Sequence, residues 1–207
     1  MIPASSAAVR TPQRMLLLCG FGGLLFIGVF VVLGALAPGY SQLHDTISAI
    51  EFTPLGAAQR ANFALFGALM CGFAVAMRNE LSPGRGSAVI PLFQTLGGLG
   101  VIGDAIFIYE PLHMVCDLVA FNSALLVLIL FAWRFKREEQ WRGWSAYSIG
   151  TALLMMLLLS AFGFMNHVGG PAGAMEKLAS AIRTAWSAAL AARLLGGARL
   201  GITRRRT

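Results

Sequence analysis

Long apolar runs alternate with short polar punctuation along the whole chain. Six runs approach the roughly 20 mostly apolar residues that a helix needs to cross a bilayer. They are Met15–Leu36, Ala57–Met77, Ala88–Tyr109, Leu112–Trp133, Trp144–Met165 and Leu178–Leu195. Strict period-two alternation is missing, which argues against a transmembrane barrel. The pattern predicts an all-α membrane protein, a single domain over residues 1–207 built as a six-transmembrane-helix bundle.

The punctuation supports those boundaries. Pro38-Gly39 closes the first run, Ser82-Pro-Gly-Arg-Gly86 separates the second from the third, and Gly169-Gly-Pro171 precedes the sixth. Pro111 opens the fourth helix, where a missing N–H costs little. The first run exceeds the ~7–15 residues of a signal-peptide core, so it reads as an uncleaved span. The longest link, residues 37–56, places Leu43, Ile47 and Ile50 at helical spacing. It predicts a short amphipathic helix lying over the mouth of the bundle, apolar side down.

Composition agrees. Of 207 residues 57% are hydrophobic and 12% charged, with mean hydropathy +0.72; a soluble domain carries about 25% charged residues. The net charge of +7 sits in the short links rather than in a nucleic-acid-binding patch. With the links alternating sides, one side collects thirteen of the sixteen lysines and arginines against three acids. The other collects three against six. The positive-inside rule then puts both termini in the cytoplasm, for a multi-pass protein of the inner (plasma) membrane. Trp133, Trp141 and Trp144 fall near the inner boundary, and Arg204 to Arg206 suit anionic headgroups there. Membrane lipids are the expected partners, and no nucleic acid is.

This topology collects chemistry on the outer side. His44, His113 and His167 all lie there, with six of the nine acids. Asp104 and Asp117 flank the tight turn at Glu110-Pro111, each predicted about 7–8 Å below the outer boundary. Arg183 lies at similar depth in the last run. Buried membrane charges cost on the order of 2.5–3.5 kcal/mol and usually pair, so Arg183 is expected to bridge to Asp104 or Asp117. One base for two acids leaves one acid to be protonated, to meet a histidine, or to hold a metal.

His113, Cys116 and Asp117 stand at i, i+3 and i+4 on one helix face, and imidazole, thiolate and carboxylate all ligate zinc. The candidate ligand set for a divalent metal such as zinc is His44, His113, Asp117 and His167. No cofactor is certain; histidines gathered at one boundary fit a single haem at most, not a two-haem wire. The candidate pocket comprises His44, Asp45 and Ser48 of the outer link, Asp104, Glu110, His113 and Asp117 around the tight turn, and His167 and Arg183. Ser48, His113 and Asp117 are the candidate catalytic groups, although no GxSxG-type motif surrounds Ser48. Cys19, Cys71 and Cys116 form no CxxC pair, so no disulfide framework or zinc ribbon is indicated. Gly98-Leu-Gly-Val-Ile-Gly103 matches a dinucleotide fingerprint but lies inside an apolar helix; close helix packing is the expected use of its glycines.

Pro38-Gly-Tyr-Ser, Thr46-Ile-Ser-Ala, Asn62-Phe and Gly67 resemble the first signature of a bacterial family catalogued as domain of unknown function 998. Gly100-Val-Ile-Gly, Phe107, Glu110-Pro and His113 resemble its second, with Glu110 where that family typically has Asp, and Glu176-Lys with Trp186 its last. The resemblance spans about Met15 to Leu195 and implies a six-helix membrane protein, distantly similar to the Frag1 and DRAM proteins, some tied to lipid remodelling. By residue kind alone, Ser48, Asp117, His44, His113 and His167 also resemble the inventory of intramembrane metal hydrolases of the ceramidase and progestin-receptor type. Three functions follow as expectations: a polar outward-facing pocket binding a lipid or small amphiphile, a metal-dependent intramembrane lipid hydrolase, or a structural or partner-binding subunit. Whether any reaction is catalysed stays open.

Overall fold

The computed structural model describes residues 6–81, 84, 86–136 and 138–197, with side chains from residue 12 onward. Arg85, Arg137, Arg199 and Arg204 to Arg206, the Ser82-Pro83 part of the second link and the side chain of Arg10 lie outside the described residues. The chain is all-helical, with no strand among the described residues. The long helices are α1 (Ser6–Leu18), α2 (Gly22–Leu36), α3 (Gly56–Glu80), α4 (Val89–Ile106), α5 (Leu112–Phe135), α6 (Trp144–Val168) and α7 (Ala172–Leu195). A single 3-10 turn, Cys19–Phe21, splices α1 to α2 without breaking the run.

Among the described residues, five helical runs are long and apolar enough to cross a membrane: Pro12–Leu36, Gly56–Glu80, Val89–Ile106, Leu112–Phe135 and Trp144–Val168. The sixth expected span, α7, is equally long but carries Glu176, Lys177, Arg183 and Arg193, and it falls outside that set. Three of its polar residues turn inward: Glu176, Arg183 and Thr184 are buried, together with Trp186 and Leu190, while Arg193 is exposed. Helix α6 is bounded at both ends by left-handed glycines, Gly143 (φ 85°) and Gly169 (φ 71°). Only glycine adopts that backbone without steric cost, so these two residues set where the chain reverses.

Each helix from α2 onward packs against its chain neighbour, and α7 returns against α2, closing a ring. Glycines decide the tightest seams. A methyl on Gly67 of α3 would stand 2.5 Å from the Gly98 carbonyl of α4, and one on Gly100 would stand 2.8 Å from the Cys116 carbonyl of α5. The Gly98–Gly103 motif therefore serves close backbone approach on two sides of α4. The end of the ring nearest the termini is filled by a large apolar core that includes Phe73, Met77, Phe131, Phe135, Trp141 and Trp186. The opposite end is closed more sparingly, by Phe26, Phe30, Ile47, Ile50 and Phe63. That end carries the 37–55 link, the 107–111 turn and Gly169-Gly-Pro171, and it leaves space inside.

The amphipathic helix expected in the link is shorter than its spacing suggests. Residues Ser48–Phe52 make a 3-10 turn; Ile47 and Ile50 point inward and Leu43 stays exposed. The link is tied down along α7. Lys177 Nζ donates to the carbonyls of Asp45 (2.6 Å) and Gln42 (2.9 Å), and Glu176 Oε2 accepts from the Ile47 N–H at 2.9 Å. The N–H groups of Gly173 and Ala174, free at the start of the helix, donate to His44 and Leu43 carbonyls. The 37–55 segment is thus a fixed cap rather than a loose lid.

Candidate functional site

Beneath that cap, on the axis of the ring, lies a cavity of about 80 Å³. Phe26, Phe63, Phe66, Phe121, Met70 and Val101 make much of its wall. Set among them are Asp104 from α4, Asp117 from α5, and Glu176 and Arg183 from α7. Three carboxyl groups and one guanidinium thus face a space too polar to stay dry and large enough for several waters. A second, smaller space of about 30 Å³ begins on the far side of Arg183 and Thr184 and reaches Gln94 and Ser187.

Asp104 sits two residues before α4 ends and is 2% exposed. The close approach of α4 to α5 at Gly100 and Gly103 brings it to the first turns of α5. There His113 is held by one firm contact: its Nδ1 lies 2.9 Å from the Phe107 carbonyl oxygen. A carbonyl only accepts, so Nδ1 carries the proton and the lone pair of a neutral ring stands on Nε2. Nε2 faces Asp117 Oδ2 at 3.8 Å, one helical turn on, too far for a hydrogen bond. Asp104, His113 and Asp117 each offer an oxygen or nitrogen within 4.8 Å of the others.

Two of the expected partners are absent from this group. Cys116 places its sulfur against Gly103, on the packing seam, and does not join the ligand group. Arg183 does not make the expected bridge to Asp104 or Asp117. Its guanidinium donates to Gln94 Oε1 at 2.8 Å and to Ser187 Oγ, both neutral, and its Nε is buried without a partner. It is one turn of α7 below Ser180 and faces the seam between the two spaces, where Gln94 of α4 reaches it first.

The other sequence candidates lie at the rim. His44 is on the exposed cap, with Nδ1 3.2 Å from the Gly170 carbonyl, and His167 is exposed at the end of α6. Neither joins Asp104, His113 and Asp117 among the described residues. Asp45 is used by the cap itself, accepting from the Ser41 N–H at 2.7 Å. Glu110 is exposed and accepts from the Met114 N–H at the start of α5. Ser48 shares a hydrogen bond with Thr46 at 3.1 Å, and no histidine bonds to it among the described residues, so a serine–histidine pair is not formed.

Sequence reasoning passed over two acids that the fold buries. Glu176 was legible only as an outer charge; in place it is 6% exposed, lines the cavity and holds the cap. Glu51 lies off the apolar face that Leu43, Ile47 and Ile50 would form on a regular helix; the tight 3-10 turn tucks it beneath the cap, with both carboxylate oxygens unpaired. Burial pushes its carboxyl up to about 7, with His113 and Arg60 pulling the other way and Asp117 adding to the rise. Four of the acids at this end of the ring, Glu51, Asp104, Asp117 and Glu176, therefore turn inward, and Arg183 beside them is already engaged.

A family model described as "Protein of unknown function (DUF998)" matches residues 21–193. No curated protein and no solved structure matches the chain.

Proposed function

This chain belongs to the DUF998 family, and for this member we propose an amphiphile-binding protein of the cell membrane. It spans the bilayer six times with both termini in the cytoplasm, α7 serving as the sixth span with its polar side turned into the ring. The cap and the cavity then lie on the outer side. The cavity takes the head of a lipid or small amphiphile, and its aromatic and methionine wall takes the adjoining chain. The observation that carries this reading is the mixed lining of one cavity: three carboxyl groups and one engaged guanidinium set among Phe26, Phe63, Phe66 and Phe121. Pockets for small ligands are mostly apolar with a few convergent polar groups. The surplus of acids favours a positively charged head such as an ammonium, which the phenylalanine faces also accept.

The reading is tested by mass spectrometry of the protein released intact from detergent. Wild type is expected to retain an amine-headed amphiphile. Ser180→Phe, which fills the cavity from α7, is expected to lose it while unfolding at a similar temperature. Equal occupancy in both proteins would overturn the cavity as the binding place, and no retained amphiphile in either would leave a role in pairing helices as the better account.

A further inference from the structure

We propose that Asp104, His113 and Asp117 form a divalent metal site of the open, three-ligand kind, with zinc the expected ion. This goes beyond the amphiphile reading but shares Asp104 and Asp117 with it: with the ion bound, Glu176 is the cavity carboxyl left to face an ammonium head, and zinc analysis and amphiphile mass spectrometry score the two readings independently. The set is one imidazole and two carboxylates drawn from α4 and α5, with their donor atoms within 4.8 Å of one another. Two of the three residues are more than nine-tenths buried, and each carries a polar atom with no partner: Oδ1 of Asp104 and Nε2 of His113.

The histidine is the more informative of these. Its Nδ1–H is spent on the Phe107 carbonyl at 2.9 Å, which fixes the ring and leaves the Nε2 lone pair facing Asp117 Oδ2 at 3.8 Å. Metal-bound histidines are oriented in this way, by a hydrogen bond from the ring nitrogen that does not ligate. A lone pair facing carboxylate oxygens is repulsive unless a proton or a cation stands between them. A single proton joins only two of the three groups, and Oδ1 of Asp104 has no acceptor or donor of its own. A divalent cation uses all three donors at once and cancels both negative charges.

Charge balance at this depth points the same way. Arg183, the nearest buried base on α7, is committed to Gln94 and Ser187 and forms no ion pair with either aspartate. Two uncompensated carboxylates in a membrane interior are costly; one divalent ion makes the group neutral. Zinc takes nitrogen and carboxylate oxygen at about 2.0–2.2 Å and commonly keeps one position for water or substrate when the protein supplies three ligands. Asp117 lines the cavity, so the fourth position opens on that space.

The test uses tag-free, full-length protein in detergent, stripped with a chelator and re-equilibrated with zinc alone. Elemental analysis after gel filtration is expected to find about one zinc per chain, and zinc is expected to raise the unfolding temperature. His113→Ala and Asp117→Asn should each reduce the bound zinc at least about tenfold, the range seen when ligand shells are disrupted. His44→Ala and His167→Ala should leave it unchanged. Retention of zinc by His113→Ala, or loss in His44→Ala, would overturn the assignment. If a ligand variant does not fold, wild type decides alone: bound zinc well below one per chain, with no thermal shift, would equally overturn it.

Discussion

Arg183 gives its guanidinium to Gln94 across 2.8 Å, a neutral partner from α4, although Asp104 and Asp117 line the same cavity. The relationship reassigns both ends of the expected ion pair. The arginine is a strut between α7 and α4, and the aspartates are left for something else.

That strut predicts asymmetric damage. Gln94→Ala leaves a buried guanidinium short of a partner, and it should destabilise the protein by about 2 kcal/mol. Arg183→Met combined with Gln94→Leu removes both polar groups and should recover much of that loss. Thermal unfolding of the two variants in detergent checks it; equal losses would mean that the pair is not coupled.

The α3–α4 seam should be intolerant of a single methyl. Gly67→Ala places a carbon 2.5 Å from the Gly98 carbonyl, backbone against backbone, so neither side has a flexible end to move. A loss of about 1–3 kcal/mol is expected. Gly28 of α2 has nothing within 4 Å of its added methyl, and Gly28→Ala should be neutral or slightly stabilising, by up to about 1 kcal/mol.

Lys177 should govern the cap. It donates to two carbonyls of the link at 2.6 and 2.9 Å, and its ammonium lies over the Tyr40 ring. Lys177→Met should speed amide exchange across residues 40–47 while leaving α3 as protected as in wild type. Unchanged exchange in the cap would show that the α7 backbone contacts suffice to hold it.

Glu51 predicts a pH dependence of stability. Its carboxyl rises from an ordinary 4.5 to about 7 on folding, so the folded chain holds this proton more tightly than the unfolded one. The contribution is fully present below about pH 4.5 and is lost as pH climbs through 7. The contribution is at most about 3 kcal/mol, at roughly 1.4 kcal/mol for each pH unit between the two values. The groups facing it are His113, Arg60 and Asp117. Glu51→Gln should flatten that slope and stabilise the protein above pH 7, measured as unfolding temperature against pH.

Topology is directly measurable. With Cys19, Cys71 and Cys116 replaced, His44→Cys should react with a membrane-impermeant thiol reagent in intact cells. Arg142→Cys should react only after the membrane is opened. Labelling of both from outside would remove the orientation, and with it the outward-facing cavity.

The long helices, and the end of the molecule on which the chemistry gathers, are legible in the order of residues alone. Apolar length, and the glycines and prolines between runs, are local properties; they mark where a helix must begin and end whatever it packs against. Helix α7 shows the limit of that logic: it has the length of a span but not the apolar composition, and its polar residues say only that one side must be covered. His113 and Asp117 were also legible together, since i and i+4 share a face on any helix. Which groups from different helices meet is settled by packing alone. Asp104 joins His113 because two glycines let α4 and α5 approach. Arg183 misses both aspartates because Gln94 reaches it first, and Glu51 and Glu176 enter the interior because the cap folds down onto α7. Those outcomes depend on packing distances between residues as many as 129 positions apart, and spacing along one strand of sequence carries no information about them.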